Sequence, residues 1–228
     1  MKTYFKDLVK DIGIELNQQQ LTQFRLYYEQ LIEWNKKMNL TTITEEKEVY
    51  IKHFYDSLCF SKIISLSNET ILDVGSGAGF PSIPLLIAFP NLKVTIIDAQ
   101  QKRITFLQVL LESLGLKAKL IHGRAEEFTF KNHFDIVTAR AVSNMRILTE
   151  LCLPFVRIDG YFIALKGPSY EEELLGSKNA IELLGGEVEK VITYNFDEQF
   201  RSLIQVRKIN KTKNTYPRKY SQIKKNPL

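Results

Sequence analysis

The segment ILDVGSGAGF, residues 71–80, combines residue types that bind nucleotide-like ligands. Residues 71–74 are a short, largely apolar run containing an acid, which is typical of a strand buried in a parallel sheet. Gly75, Gly77 and Gly79 follow at alternate positions, so the backbone can turn sharply and a ligand can approach it closely. Prolines and apolar residues then predict a helix. A strand, a glycine loop and a helix N-terminus in this order predict a nucleotide-binding corner.

Three residues favour S-adenosylmethionine over a dinucleotide as the ligand of this corner. The dinucleotide fingerprint needs a small residue at its sixth position, where this chain has Phe80. Asp73 would repel a pyrophosphate, but its carboxylate suits a ligand that carries an amino group and a sulfonium. Asp98 ends a second predicted strand about 20 residues beyond the loop, where an acid accepts hydrogen bonds from ribose hydroxyls. The alternative is a glycine-rich turn without a ligand, and the strand-terminal acid at this distance argues against it.

The net charge of +5 is concentrated at the end of the 228-residue chain. Residues 211–228 hold six of the 31 basic residues and no acid, so the rest of the chain has 25 bases against 26 acids. Tyr216 and Tyr220 lie among these basic residues. Lysine and arginine neutralise phosphates and aromatic rings stack on bases, so this basic tail suggests a nucleic-acid partner. A merely solvated tail is an equally good reading of the charge alone.

Composition argues against several other classes of protein. Cys59 and Cys152 have no CxxC partner, and the three histidines show no metal-ligand spacing, so we predict no metal site and reduced cysteines. The N-terminus lacks a continuous apolar signal-peptide core, and no stretch is long enough to span a bilayer. We therefore expect a cytoplasmic, monomeric protein that makes no membrane contact.

Residues 1–69 are predicted to form a helical N-terminal extension. Asn17 can cap a helix, and Gln20 completes a variant of the capping box. Apolar and aromatic residues then recur at helical spacing, which favours a buried face over a base-stacking surface. Thr42 and Glu45 form a second capping box, which predicts the start of a second helix.

That second helix carries a histidine and an acid three residues apart. His53 and Asp56 lie at positions i and i+3, so their side chains can meet on one face. Such a pair could be catalytic, but it more often orients one helix on its neighbour.

Residues 70–210 alternate strands and helices, which predicts an α/β domain with an open, mostly parallel sheet and an antiparallel closing pair. Ligands of such sheets bind at the carboxyl ends of the strands. The strands are predicted at 71–74, 93–98, 117–122, 134–139, 160–165, 188–196 and 201–209. The helices are predicted at 101–114, between the fourth strand and about residue 157, and at 171–184. The residues predicted at the shared rim are Asp73, Gly75, Asp98, Ala125, Glu126, Arg140 and Lys166.

Six motifs together resemble the RsmG/GidB family: VGSGAGFPSIPL, DAQQKRITFL, GRAEEF, TARAV, HFYDSL and YPRK. The resemblance runs from about Trp34 to Lys219. Members of that family are bacterial methyltransferases that methylate N7 of a guanine in 16S ribosomal RNA, in the helix 18 loop near the decoding centre. The resemblance therefore implies a class I (Rossmann-like) S-adenosylmethionine-dependent methyltransferase, with a seven-stranded sheet behind a helical extension.

The resemblance also assigns roles to the residues of the rim. It implies that Gly75 and Phe80 line the methionine end of the cofactor, that Ala125 and Glu126 contact its adenine side, and that Arg140 closes the pocket. The roles of Asp73, Gly77 and Asp98 follow the general pattern of methyltransferases. The expected RNA contacts are Arg124, Lys166, Arg218 and Lys219, and the expected partner is 16S rRNA or the small ribosomal subunit.

Guanine N7 has a free in-plane lone pair at neutral pH, so its methylation needs no general base. The chain has no Asp/Asn-Pro-Pro-aromatic motif and no Pro-Cys nucleophile after the fourth strand, as methylation of exocyclic adenine nitrogens or pyrimidine carbon would require. We therefore predict catalysis by positioning, without a catalytic base. The alternatives are a methyltransferase of the same fold acting on another RNA, a protein or a small molecule, and a non-enzymatic RNA-binding module. A nicotinamide dehydrogenase is disfavoured by Phe80 and Asp73.

Overall fold

The computed structural model describes residues 2–140, 143–196 and 199–228. Its centre is a seven-stranded sheet in the order β3-β2-β1-β4-β5-β7-β6, in which β7 runs antiparallel to both of its neighbours. The predicted mostly parallel sheet with an antiparallel last strand is confirmed. The strands are β1 (Thr70–Val74), β2 (Lys93–Asp98), β3 (Lys119–His122), β4 (Phe134–Arg140), β5 (Val156–Lys166), β6 (Gly186–Phe196) and β7 (Gln199–Lys208).

Helices cover both faces of the sheet, and further helices before β1 form the N-terminal extension. They are α1 (Lys2–Lys10), α2 (Gln18–Met38), α3 (Glu46–Val49), α4 (Asp56–Leu58), α5 (Ser82–Ala88), α6 (Gln101–Leu114), α7 (Met145–Cys152), α8 (Tyr170–Leu183) and α9 (Tyr220–Lys225). A π-helical turn, Tyr50–Tyr55, joins α3 to α4. Among the described residues, no helix is long and apolar enough to cross a bilayer.

Local capping signals define α2 as predicted but not α3. Both hydrogen bonds of the Asn17–Gln20 capping box are present at the start of α2. The predicted box at Thr42 is wrong, because α3 begins only at Glu46 and Thr42 lies too far upstream. Glu45 caps α3 instead: its carboxylate accepts hydrogen bonds from the next turn's backbone N–H groups, at 2.8 and 3.1 Å.

The predicted helix up to residue 157 is also wrong at its end. Helix α7 stops at Cys152, a single 3₁₀ turn follows, and β5 already begins at Val156. Val156 pairs with Phe134 of β4 across an irregularity in the register. This early start of β5 depends on pairing with a strand about twenty positions earlier, which local periodicity does not reveal.

Alternate residues of the central strands enter two separate cores. Ile71 of β1 faces a core shared with α1, α2, the segment 46–62, α5 and α6, whereas its neighbour Leu72 faces a core shared with α7. In the first core the Phe5, Phe24 and Phe54 rings pack edge-on or tilted, with centroids 4.9 to 6.3 Å apart. The N-terminal helices and the sheet thus bury one continuous apolar cluster, which places the extension against one face of the sheet.

Candidate functional site

The glycine loop between β1 and α5 has a conformation that only glycine adopts easily. Gly75, Gly77 and Gly79 all have positive φ, between 63° and 100°. A Cβ on Gly79 would come within 2.7 Å of Ile83 and 2.8 Å of the Tyr27 hydroxyl. A Cβ on Gly77, by contrast, would have no neighbour within 4 Å. The loop is therefore packed tightly on one side and open on the other.

Helix α2 supports this loop from behind. The Tyr27 hydroxyl is wholly buried and donates a hydrogen bond to the Ala78 carbonyl at 2.5 Å. The Tyr27 ring stacks on Phe80 with a centroid distance of 5.4 Å and an interplanar angle of 12°. The N-terminal extension thus helps to shape the loop that the sequence identified.

A cavity of about 540 Å³ opens over the loop at the carboxyl ends of β1, β2 and β4. This is within the usual size range of small-molecule sites. It lies where open α/β sheets bind their ligands. Of the predicted cofactor residues, Gly75, Gly77, Phe80, Asp98, Ala125, Glu126 and Arg140 line it, and Asp73 does not.

Asp98 is buried beside the loop and holds it in place. Its Oδ2 accepts hydrogen bonds from the Gly77 N–H and the Arg103 guanidinium, both at 3.2 Å, and its Oδ1 accepts one from the Gln100 N–H at 2.9 Å. A carboxylate has about four acceptor positions, so Oδ1 retains one for a ligand hydroxyl. Asp98 therefore combines a structural role with the predicted capacity to hold a ribose.

Asp73 is wholly buried under the loop. Its Oδ2 accepts hydrogen bonds from the Ser82 hydroxyl at 2.6 Å and the Ser82 N–H at 3.3 Å, whereas Oδ1 has no partner among the described residues. Burial raises the pKa of this carboxyl to about 7, although its bonds to Ser82 act in the opposite direction. A buried carboxylate with an unused oxygen is suited to stabilise a positively charged ligand in the cavity above.

Ser76 provides a further polar atom at the cavity. The residue lines the cavity, and its buried hydroxyl has no hydrogen-bond partner within the described part of the chain. Buried polar groups are normally hydrogen-bonded, so an unpartnered one points to a ligand or a water molecule. With the open acceptor position of Asp98, it makes the cavity fit a ligand that carries both an amino group and ribose hydroxyls.

Arg140 lines the cavity and is held by the N-terminal extension. Its guanidinium lies over the Phe80 ring, 4.7 Å from the centroid, and His53 stacks on the same ring at 4.5 Å. Arg140 Nη1 contacts Asp56 Oδ2 at 3.1 Å. Asp56 also accepts a hydrogen bond from the Tyr194 hydroxyl at 3.0 Å. His53 and Asp56 thus meet through Arg140, which the sequence pattern did not reveal.

The hydrogen bonds of His53 define its tautomer. Arg140 Nη2 lies 3.1 Å from His53 Nδ1, and a guanidinium can only donate, so Nδ1 accepts. Nε2 therefore carries the proton and donates to the Thr41 hydroxyl at 2.8 Å. Burial, followed by the positive charge of Arg140, lowers the pKa of His53 to about 3. His53 is neutral at physiological pH and both of its nitrogens are engaged.

Comparison with known proteins identifies the family. The family model of GidB, rRNA small subunit methyltransferase G, matches residues 20–203. The chain belongs to this family. Ribosomal RNA small subunit methyltransferase G of Bacillus subtilis (strain 168) is 50% identical over 224 residues, which cover 95% of this chain and 94% of that protein. The Staphylococcus saprophyticus protein of the same name is 52% identical over 223 residues, with 95% and 93% coverage.

Solved structures of lower identity show the same fold. A methyltransferase from Pyrococcus furiosus has a TM-score of 0.59 and 18% identity, covering 79% of this chain and 95% of that one. TYW2 of M. jannaschii in complex with AdoMet has a TM-score of 0.59 and 16% identity, covering 74% and 80%. The predicted family, fold class and methyltransferase activity are confirmed, and the cofactor of this family member is S-adenosylmethionine.

The four basic residues predicted to contact RNA occupy two kinds of environment. Arg124 lies at the cavity with an exposed guanidinium, and Lys219 is exposed at the start of α9. Lys166 instead pairs with Glu173 at 2.6 Å, and Arg218 pairs with the wholly buried Glu150 at 2.7 Å. The charges of Lys166 and Arg218 are therefore already compensated within the protein.

The sequence motifs missed several residues that line the cavity. They come from the loop after α2, from the π-helical turn, from the start of α6, from α7 and from the basic tail, and no single motif connects them. Two of them lie in motifs of the family resemblance, His53 in HFYDSL and Arg103 in DAQQKRITFL, but neither motif indicated a position at the cavity. These lining residues are Leu40, Thr41, His53, Arg103, Leu151 and Tyr220.

Proposed function

We propose that this family member transfers the methyl group of S-adenosylmethionine to N7 of a guanine in 16S rRNA, in the helix 18 loop near the decoding centre. Bound S-adenosylmethionine supplies an electrophilic methyl group on a positively charged sulfur. Family membership and the resemblance of the six sequence motifs support the substrate, and the chemistry of the cavity supports the acceptor atom.

The observation that carries the proposal is the state of His53 at the cavity wall. A base that accepts a proton needs a free lone pair and a pKa near the working pH. The Nδ1 lone pair of His53 is used by Arg140, and the pKa of His53 lies near 3. Guanine N7 attacks with its own lone pair and loses no proton. A cavity without a poised histidine base therefore suits N7 better than an acceptor that must be deprotonated.

The chain's own residues then act by binding and orientation. Gly75 and Phe80 would line the methionine end, and Arg140, fixed by Asp56 and His53, would close that end of the pocket. Asp98 would hold the ribose through its free acceptor position. The proposed cofactor residues are Asp73, Gly75, Gly77, Phe80, Asp98, Ala125, Glu126 and Arg140, with Asp73 acting from beneath the loop rather than on the cavity surface.

We further propose that RNA approaches across the rim that carries Arg124 and Lys219. Lys219 is exposed, and the exposed Arg124 has only a long contact with Glu126, at 3.8 Å, so both can neutralise phosphates. At Lys166 and Arg218 a phosphate would have to compete with the closer carboxylates of Glu173 and Glu150, at 2.6 and 2.7 Å. The proposed partner is 16S rRNA or the small ribosomal subunit. We also propose a cytoplasmic monomer that uses no metal, organised as an extension (1–69), a methyltransferase domain (70–210) and a tail (211–228).

Methyl transfer to defined substrates tests this proposal. The protein is incubated with labelled S-adenosylmethionine and either whole small subunits or stripped 16S rRNA, both from cells that lack this activity. Mass spectrometry of nuclease digests then locates the modified base. We expect one N7-methylguanine in the helix 18 loop. Asp98→Asn should reduce methyl transfer. The control Asp7→Asn, which replaces an exposed acid on α1, should leave methyl transfer unchanged.

The product distinguishes the alternatives. Label on another base, or on another atom of guanine, would contradict the N7 assignment. Label on ribosomal protein would contradict RNA as the substrate. Binding of rRNA without binding of S-adenosylmethionine would contradict the enzyme itself.

A further inference from the structure

The basic tail, residues 211–228, is attached to the methyltransferase domain at both of its ends. Near its start, the buried Lys208 ammonium donates hydrogen bonds to the Thr212 hydroxyl and to the carbonyl of Leu184. At its end, the Arg146 guanidinium donates to the carbonyl oxygens of the last two residues, both at 2.6 Å. The tail is therefore a packed part of the fold and not a solvated extension.

The middle of the tail is anchored to α7. Glu150 of α7 is wholly buried and accepts three hydrogen bonds from Arg218, from its backbone N–H, Nε and Nη2, at 2.7 to 2.9 Å. Ile223 of α9 is also wholly buried, in the core that contains α7. A buried bidentate pair and a buried aliphatic side chain, five residues apart, define the position of the residues between them.

Tyr220 lies between these two anchors and faces the cofactor cavity. It is one of the residues that line the cavity, and its side chain is half-buried. The Arg124 guanidinium lies over the Tyr220 ring, 5.5 Å from its centroid. Arg124 directly precedes Ala125 and Glu126, the pair assigned to the adenine side of the cofactor.

We infer that Tyr220 is a further cofactor-contacting residue, whose ring covers the adenine side of S-adenosylmethionine in the cavity. The inference rests on the proposed cofactor site. It gives the basic tail a second role beside RNA binding: the tail completes the cofactor pocket. The aromatic residue that the sequence suggested for stacking on RNA bases stacks instead on the nucleoside of the cofactor.

The shape and polarity of the Tyr220 ring suit it to contact the flat adenine of a nucleoside. An adenine has two large apolar faces, and the Tyr220 ring offers a flat, partly apolar surface at the cavity. The contact between Arg124 and Tyr220 holds the ring and leaves its orientation partly defined before binding. Because Arg218 is paired with the buried Glu150 and Ile223 is itself buried, little conformational entropy is lost when the ring meets the ligand.

The test measures the affinity for S-adenosylhomocysteine by isothermal titration calorimetry, using the full-length protein. The variants are Tyr220→Ala, Tyr220→Phe and the control Tyr4→Ala, which removes an exposed ring from α1. We expect Tyr220→Ala to bind about tenfold more weakly, the usual scale for losing one aromatic stacking partner of a base. Tyr220→Phe and Tyr4→Ala should bind within about twofold of the parent, since each keeps the cavity ring.

A second measurement requires no variant. Tetranitromethane modifies accessible tyrosines, and mass spectrometry of the peptides reports the rate at Tyr220. Saturating S-adenosylhomocysteine should slow the nitration of Tyr220 and leave that of Tyr4 unchanged.

The outcomes separate this inference from the proposed function. If the parent protein does not bind S-adenosylhomocysteine, the proposed cofactor site itself is refuted. If the parent binds and Tyr220→Ala binds equally well, or if nitration of Tyr220 is not slowed, the inference is overturned and the proposed function stands. If Tyr220→Ala loses only RNA affinity, the ring contacts RNA and the inference is also overturned.

Discussion

Replacing Asp73 with asparagine should stabilise the cofactor-free protein at high pH but not at low pH. Burial raises the pKa of Asp73 from 3.8 to about 7. Because the folded-state pKa is the higher one, the folded protein holds this proton more tightly than the unfolded chain does. The stabilising contribution of Asp73 is therefore complete below about pH 4 and is lost as the pH rises through about 7.

The expected magnitude follows from the size of this shift. At about 1.4 kcal/mol for each pH unit, ionised Asp73 costs the folded protein about 4 kcal/mol at pH 8.5. Asparagine stays neutral, but its NH2 group must either face the Ser82 donors or take the buried position of the unpartnered Oδ1 without an acceptor, at a cost of about 1–3 kcal/mol. At pH 5 the unfolded chain already ionises Asp73, so about 1.7 kcal/mol of the cost is present there. Asp73→Asn should thus lie within about 1 kcal/mol of the parent at pH 5 and be more stable than the parent by about 1–3 kcal/mol at pH 8.5.

Urea unfolding at pH 5 and pH 8.5, without cofactor, measures the difference. Asp135→Asn is the matched control. Hydrogen bonds from Thr70 and Arg157 lower the pKa of Asp135 despite its partial burial, so that carboxyl is ionised at both pH values and its replacement should cost the same at each. If Asp73→Asn also changes stability equally at both pH values, Asp73 does not titrate in this window and the reasoning is wrong. The same variant should bind S-adenosylmethionine more weakly at pH 8.5, because the buried negative charge is gone.

Three further predictions address the base, the ribose acceptor and the tail. With saturating S-adenosylmethionine and rRNA, so that the charge of Asp73 does not limit binding, single-turnover methyl transfer should be nearly independent of pH from about 6.5 to 8.5, a range that begins at the ordinary histidine pKa; a rise that disappears in His53→Gln would show that a base takes part. Asp98→Ala should weaken binding of S-adenosylhomocysteine by about 1–3 kcal/mol in calorimetry, because a buried ribose hydroxyl loses its acceptor, and an unchanged affinity would remove Asp98 from the site. Arg218→Ala should lower the unfolding free energy by about 3 kcal/mol, since it leaves the buried Glu150 unpaired. In chemical denaturation Arg25→Ala, which removes an exposed ion pair, should cost less than about 1 kcal/mol, and equal losses for the two variants would contradict a structural role of the tail.

The sequence alone determined those features of this protein that depend on neighbouring residues. The glycine loop, the acids in the last two positions of β1 and β2, the capping box at Asn17 and the end of α6 before Gly115 were all predicted in place, apart from small shifts at element boundaries. Each depends on a backbone conformation or a hydrogen bond within a few residues, which residue type controls directly. The alternation of such elements was also sufficient to predict the sheet and the rim on which the cavity lies.

Only the tertiary structure decided which charges are free and which are engaged. Arg140 meets His53 and Asp56 across more than 80 positions of the chain, and Arg218 meets Glu150 across 68. Burial sets the pKa of His53 near 3, which no spacing of residues could indicate. Charge composition made the tail look like an RNA-binding extension, whereas its packing turns one aromatic side chain towards the cofactor cavity. Desolvation and long-range pairing depend on what the fold brings together, so they are properties of the folded molecule and not of any segment of its sequence.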